Sequence, residues 1–390
     1  MTRSEARSKK QIRLVHICSS DITVKFLLQN QLEYFITKGF GVSAICSREQ
    51  WFDSIVLEGL SLYDVQITRY FSPLKDFIAL LNLIRLLARH KPDIIHTHTP
   101  KAALLGLTAA FICGIKYRCN TIHGFRFSPS TKGIKRHLLI LLEKISGKLS
   151  HHTFCQNPLD TETALALRIV PRKKISTIGN GIDLKKFSLN NYNENIIGSF
   201  KNKLGIKNED FVIGIVARLV KEKGYLELSG AFKSICPKFP SKLLIIGAPD
   251  KSKKDVLTID VIKEGIPADK IIFIPYTDRI PDYLSIMDVF VLPSYREGFP
   301  RSVLEAEAMG LPVIAAKSSG ALVAVENEKT GFLVPVRDWE QIAKYILLLR
   351  NNHELRKTLG RQARLKAEAE FNETIVFDKI LAAYRNMIDN

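Results

Sequence analysis

The chain has 390 residues, with 57 Lys and Arg against 39 Asp and Glu, a formal charge of +18. Its composition, 46% hydrophobic and 25% charged, is that of globular proteins and excludes a mainly disordered or fibrous chain. At roughly 100–200 residues per domain, this length predicts two domains.

In chain order, the basic start from Arg3 to Arg13 leads into a short apolar run, Leu14 to Cys18. That run is too brief for a secretory signal, so the chain is expected to be made and kept in the cytoplasm. Strands are predicted at Arg13–Cys18, Gly41–Cys46, Asp93–Thr97, Tyr117–Ile122 and Thr153–Gln156, with helical periods at Lys25–Lys38, Lys75–Arg89, Lys101–Cys113 and Lys135–Leu149. The longest apolar stretch, Phe77 to Ala88, is broken by Asn82 and Arg85, short of the ~18 residues a membrane span needs. A polar stretch, Leu189 to Asn195, reads as a linker.

The pattern then repeats. Strands are predicted at Phe211–Val216, Lys242–Ile246, Lys270–Pro275, Val289–Pro293 and Pro312–Ala316, and helices near Tyr225–Cys236, Asp255–Glu264, Ser302–Met309 and Trp339–Arg350. Apolar strands alternating with helices imply parallel sheets covered on both faces. The expected fold is therefore α/β: two facing doubly wound domains with a ligand cleft between them at the carboxyl ends of the strands. Residues 1–188 form the first domain, 189–370 the second, and 371–390 a helix crossing back to the first. The six cysteines fall singly in apolar runs, which predicts buried free thiols.

The charge is lopsided. Residues 1–190 carry 28 Lys and Arg against 13 Asp and Glu, a net of +15, leaving +3 for the rest. An anionic partner for the first half is expected: nucleic acid, an acidic membrane face or a phosphorylated substrate. The helix Lys132–Leu149 brackets an apolar centre, Leu138 to Leu142, with Lys132, Lys135, Arg136, Lys144 and Lys148. Such a helix lies either on an anionic bilayer or on its own core with a solvated basic face.

The most informative segment runs from Pro293 to Pro312. It places Glu297 in a turn and Glu305 about one turn into a helix, at the cleft end of a strand. The start of such a helix offers backbone N–H groups to an anionic diphosphate, and a carboxylate can hold two vicinal hydroxyls. Arg218 and Lys223 follow a strand five residues apart, a bidentate and a point cation suited to a diphosphate. His96 and His98 lie on alternate positions of one strand. Their spacing alone suits a metal, but no third ligand is evident, and no Asp-x-Asp occurs.

The spacing of Glu297 and Glu305 within Leu-Pro-Ser-Tyr-Arg-Glu-Gly-Phe-Pro resembles the signature of retaining glycosyltransferases of family 4, which have the GT-B fold. Gly179–Asp183, Val216–Gly224, Thr330–Val334, His96–Lys101 and Thr121–Gly124 resemble the same family in the same order, covering nearly the whole chain. The resemblance implies catalytic roles for His123 and Glu297, with His123 near the transferred sugar. It implies donor binding by Arg218, Lys223 and Glu305 and by the backbone around Gly298, Phe299, Pro300 and Ser302. His98, Ser20 and Lys101 are expected on the acceptor side. Metal and cofactor are expected to be absent, Arg and Lys taking the place of a divalent ion. The loop Ser19–Val24 departs from the family in having no glycine, and Val323 stands where a Glu is usual.

The function implied is transfer of a hexosyl or N-acetylhexosaminyl group, with retention, from a nucleotide diphosphate-sugar to a lipid-linked or polysaccharide acceptor in cell-surface glycan synthesis. The enzyme would work as a peripheral protein on the inner face of the membrane, held through Lys132–Leu149. The rival within the fold is a nucleotide-sugar 2-epimerase. A rival of another class, a basic nucleic-acid-binding protein, lacks interleaved exposed aromatics or a reading motif, so nucleic acid is not an expected partner. A dinucleotide oxidoreductase lacks Gly-x-Gly-x-x-Gly after either first strand.

Overall fold

In a computed structural model, residues 11–389 are described except 69, 71, 128–130, 251, 252 and 254, so Arg3 to Lys10 of the basic start lies outside the described residues. The chain divides into two units, Met1–Ile178 with Phe377–Asn390, and Gly179–Val376.

The first unit is a seven-stranded parallel sheet. Its strands are β1 (Arg13–Ile17), β2 (Gly41–Cys46), β3 (Leu60–Asp64), β4 (Ile94–His98), β5 (Tyr117–Ile122), β6 (His152–Cys155) and β7 (Ile175–Thr177), in the order β3-β2-β1-β4-β5-β6-β7. Alternation along β1 and β4 sends side chains to two different layers. Val15, Ile17 and Ile95 meet Ala79 and Leu83 of the helix Pro73–His90 and Ala102, Leu105 and Ala109 of Pro100–Ile112. His16 and His96, paired across the two strands, face the other way onto Phe35 and Tyr384.

The second unit is a six-stranded parallel sheet: β8 (Phe211–Val216), β9 (Ser241–Ile246), β10 (Ile271–Ile274), β11 (Val289–Leu292), β12 (Val313–Ala316) and β13 (Gly331–Val334), ordered β10-β9-β8-β11-β12-β13. β11 and β12 are buried at every residue, as strands covered on both faces must be. In both sheets the order reverses at one place, between β1 and β4 and between β8 and β11. That reversal opens a crevice at the carboxyl ends of the central strands.

The polar stretch from Leu189 to Asn195 is not a linker. Ser188 caps a short turn, Leu189–Asn191, and the Asn193 side chain accepts from the Ile196 amide at 2.9 Å to cap the helix Glu194–Lys203. Asn and Ser favour caps and linkers for the same reason, hydrogen bonding to nearby backbone. The units instead divide after β7, at Ile178 and Gly179, earlier than 188/189. The last helix, Glu373–Asp389, belongs to the first unit from Phe377 onward. β3, β7 and β13 are strands beyond those expected: β3 and β7 lie at sheet edges, where half-exposed residues weaken the apolar signal.

Candidate active site

In the second unit, two loops meet above the β8–β11 crevice. The loop after β8 carries Arg218 and Lys223 and turns into the helix Tyr225–Ile235 through Gly224, whose φ is +76°. A Cβ there would lie 2.2 Å from the carbonyl oxygen of Pro293. Only glycine permits both the left-handed turn and that approach. The approach brings the loop after β11 against it: the Tyr295 amide and the Ser294 hydroxyl both donate to the Glu222 carbonyl, at 2.8 and 3.1 Å.

Across this seam Lys223 Nζ donates to Glu297 Oε1 at 2.6 Å, both side chains largely shielded. Arg218 stands more exposed, its guanidinium paired with Asp250. The backbone carbonyl of Glu297 is held in turn by the Gly320 amide at 3.0 Å and the Ser319 hydroxyl at 2.9 Å. Thus three of the sequence-predicted residues, Arg218, Lys223 and Glu297, lie on the two loops that form one seam.

Pro300 precedes the helix Arg301–Ala308, whose first amides, at Arg301 and Ser302, have no carbonyl behind them within the helix. Phe299 is buried edge-on against Phe371, and its carbonyl accepts from Asn180 Nδ2 at 3.3 Å, which ties the Gly179–Asp183 motif to Gly298–Pro300. Glu305 accepts from Arg301 Nε at 3.0 Å. Burial pushes the Glu305 carboxyl above its ordinary range, and the charges of Arg301 and then Lys186 pull it back. The sequence reading missed Arg301, Lys186 and Asp250. The four-residue spacing of Arg301 and Glu305 was a visible signal for the first, whereas Lys186 and Asp250 arrive from distant segments with no local mark.

In the first unit, the ends of β1, β4 and β5 carry Ser20, His98 and His123. Ser20 is buried, its hydroxyl 3.1 Å from that of Thr23. The next residue, Asp21, was not singled out; its carboxylate accepts the amides of Glu49 and Trp51 at 3.0 and 2.8 Å, pinning the loop after β2 to the loop after β1. Lys101 pairs with Asp76 at 2.6 Å and donates to Thr68 at 2.7 Å. Between β4 and the following helix, Thr99 holds φ at +73°, a strained conformation for a β-branched residue, with its hydroxyl on Ser19 at 3.0 Å.

His98 is 1% exposed and does not reach solvent. Its Nε2 lies 2.9 Å from His16 Nδ1, and its Nδ1 lies 3.1 Å from His123 Nε2. Burial holds His123 down to about 4, against a smaller opposing pull from the Gln156 side chain, and His16 down to about 3; all three imidazoles are neutral at pH 7. His16, His96 and His98 bring ring nitrogens within 4.8 Å of one another, so β1 supplies the third histidine that the sequence did not show. The rings are not aimed as ligands, however. His96 and His98 stack face to face with centroids 4.3 Å apart, and His96 spends its nitrogens on Tyr384 and, at 2.7 Å, Thr121. The 2.9 Å gap between His16 and His98 is a hydrogen bond, shorter than the about 3.3 Å between two nitrogens on one tetrahedral zinc.

Two parallel α/β units, the second with paired cations and carboxylates at its switch point, define a glycosyltransferase of the GT-B class. Residues 197–366 match the family described as Glycosyl transferases group 1, and residues 27–186 match Glycosyltransferase Family 4. The chain is 31% identical to the capsular polysaccharide biosynthesis glycosyltransferase CapM of Staphylococcus aureus, over 97% of this chain and 98% of that one. It therefore belongs to glycosyltransferase family 4. It is also 29% identical, over 92% of each chain, to the UDP-Gal:alpha-D-GlcNAc-diphosphoundecaprenol alpha-1,3-galactosyltransferase of Escherichia coli. The fold is shared with a glycosyltransferase from Rickettsia africae (TM-score 0.82, 19% identity, 98% of this chain and 100% of that one) and with Anabaena Alr3699/HepE, solved with UDP and glucose (TM-score 0.81, 18% identity, 96% and 100%).

Proposed function

We propose that this glycosyltransferase moves a hexosyl or N-acetylhexosaminyl group from a nucleotide diphosphate-sugar to a lipid-linked or polysaccharide acceptor during surface-glycan assembly. The observation that carries this is the seam at β8 and β11, where Lys223 donates to Glu297 across two loops, one also carrying Arg218 and the other leading into the helix Arg301–Ala308. In this reading the two cations hold the diphosphate, Glu305 the ribose hydroxyls, Glu297 the transferred sugar, and His123 an oxygen of that sugar. The cations stabilise the charge that develops as the anomeric C–O bond breaks, so the reaction runs without a divalent ion. The acceptor oxygen bonds to the same face of the anomeric carbon and its proton passes to the departing phosphate oxygen. The configuration is then retained with no enzyme nucleophile.

The acceptor chemistry is supported by the Escherichia coli relative and by a 26% identical relative from Campylobacter jejuni, both named for diphosphoundecaprenol-type substrates. It is supported too by the helix Gly133–Leu149, which packs Leu139 and Ile140 against the core of its unit yet leaves a second apolar face exposed. Glu143, Ser146 and Gly147 face inward, while Ile134, Leu138, Leu141 and Ile145 form an exposed apolar stripe, Ile134 at 87% exposure. Leu74, Phe77, Ile78 and Leu81 make a second such stripe on Pro73–His90, and the helix Pro100–Ile112 packs against both. No described helix is long and apolar enough to cross a membrane. A bilayer surface with anionic headgroups suits apolar stripes flanked by Lys132, Lys135, Lys144 and Lys148, each worth about 1 kcal/mol near the surface. The enzyme thus works at the inner face of the membrane.

The test is transfer from a panel of labelled nucleotide sugars to polyprenyl-diphosphate glycans, with product analysis. Transfer that survives intact in both Lys223→Ala and Glu305→Ala would sink the donor-site reading. Release of free nucleotide with an epimerised sugar and no acceptor product would favour the 2-epimerase.

A further inference from the structure

In the first unit, the segments that follow β1 and β2 bring two aromatic rings together at the surface. Phe26 stands edge-on to Trp51, with centroids 5.2 Å apart and planes 83° apart, a geometry aromatic pairs favour. Phe26 is 38% exposed, Ile22 one turn earlier is 40% exposed, and Trp51 is half-buried. The arrangement is built rather than incidental. The buried Asp21 carboxylate holds the Glu49 and Trp51 amides, and Lys25 Nζ donates to the Ser54 carbonyl at 2.7 Å. These tethers fix the backbone on both sides of Trp51 against the segment that carries Phe26. That segment, Val24–Leu28, is a π-helical turn, a rare conformation that recurs at functional sites. Both segments leave the carboxyl ends of their strands, β1 lying at the reversal of strand order, where open parallel sheets bind ligands.

Charge selects the occupant. The same two segments carry Lys25, Arg48, Glu49 and Asp53, cations and carboxylates in balance, with Arg48 paired to Asp53. An anionic bilayer or a phosphate calls for cations without such counter-charges, as on the exposed face of Gly133–Leu149. A neutral sugar fits instead. The C–H groups on one face of a pyranose ring are weakly positive and pack on the electron-rich face of an aromatic ring. Its hydroxyls donate and accept, so they pair with side chains of either sign. We propose that Phe26 and Trp51 form a subsite for a sugar ring of the acceptor and select which glycan is extended. This rests on the reading above, in which Arg218 and Lys223 of the second unit take the donor diphosphate and the other substrate is a glycan.

Steady-state kinetics of the full-length protein test this on the acceptor that the transfer panel identifies. Trp51→Ala and Phe26→Ala are each expected to raise the acceptor KM about tenfold, with the donor KM and Tm little changed. Trp51→Phe keeps a ring in place and is expected to restore the acceptor KM. An unchanged acceptor KM in both folded variants, or a donor KM that rises as much, overturns the proposal. Fluorescence gives a second reading that needs no turnover. The chain has two tryptophans, so Trp339→Phe leaves Trp51 as the sole indole. Methyl hexosides and N-acetylhexosaminides are expected to shift its emission, and farnesyl diphosphate is not. A shift with farnesyl diphosphate alone assigns the rings to the lipid, and no shift with any glycoside leaves no sugar subsite; either result overturns the proposal. A wild type that transfers to no acceptor while glycosides still shift Trp51 defeats the transferase reading and leaves the sugar subsite standing.

Discussion

Lys223 Nζ lies 2.6 Å from Glu297 Oε1, joining the loop after β8 to the loop after β11 over the crevice where the strand order of the second sheet reverses. The pair is shielded, unlike Arg218, which is about half exposed beside Asp250. A charge in a shielded site acts through less screening solvent, so the two cations are not equivalent.

Lys223→Ala is therefore expected to lower kcat by about 10²–10³-fold, the usual cost of losing one preorganised charge-stabilising group. Arg218→Ala should cost clearly less. Steady-state kinetics on the preferred donor compare them, and an equal or reversed order contradicts the ranking.

Gly224→Ala places a Cβ 2.2 Å from the Pro293 carbonyl oxygen at a φ of +76°. The left-handed conformation alone costs about 1 kcal/mol or more, and the collision must also push the two loops apart. A lower Tm together with weakened UDP or GDP binding is expected. A lower Tm with unchanged nucleotide affinity would separate the fold from the site.

Glu307 is wholly buried, two residues beyond Glu305, and accepts from Thr330 at 2.8 Å; burial raises its carboxyl to about 8. Its native pKa exceeds the unfolded one, so its contribution favours folding below about 4.5 and is lost as pH rises towards 8. Glu307→Gln, which cannot ionise, should raise Tm relative to wild type at pH 8 more than at pH 5.5. Equal differences at both values in paired thermal melts would contradict this.

Leu138→Glu and Ile134→Glu fall on exposed positions, so Tm should hold while co-sedimentation with phosphatidylglycerol vesicles drops severalfold. Undiminished sedimentation of the double variant would remove this helix from the membrane-binding reading.

In the proposed reading Arg218 and Lys223 supply the positive charge, so chelation by EDTA is expected to leave the transfer rate unchanged. A rate lost to EDTA and restored by magnesium or manganese would overturn that.

The alternating apolar strands and helices, and the motif around Glu297 and Glu305, are properties of neighbouring residues and were legible in the sequence. So were the class of enzyme and the cations Arg218 and Lys223, because a loop between a strand and a helix keeps its residues together wherever the fold carries it. The linker from Leu189 to Asn195 was misread because local polarity does not distinguish a cap from a hinge. Arg301, Lys186 and Asp250 acquire meaning only through what they approach. The net charge of +18 fixed the expectation of an anionic partner, but only the packing shows that the basic helix Gly133–Leu149 turns its apolar stripe outward. His98 shows the limit most sharply. A period of two settles which residues of a strand share a face, and tertiary structure alone decides whether that face meets solvent or, as here, His16 and His123.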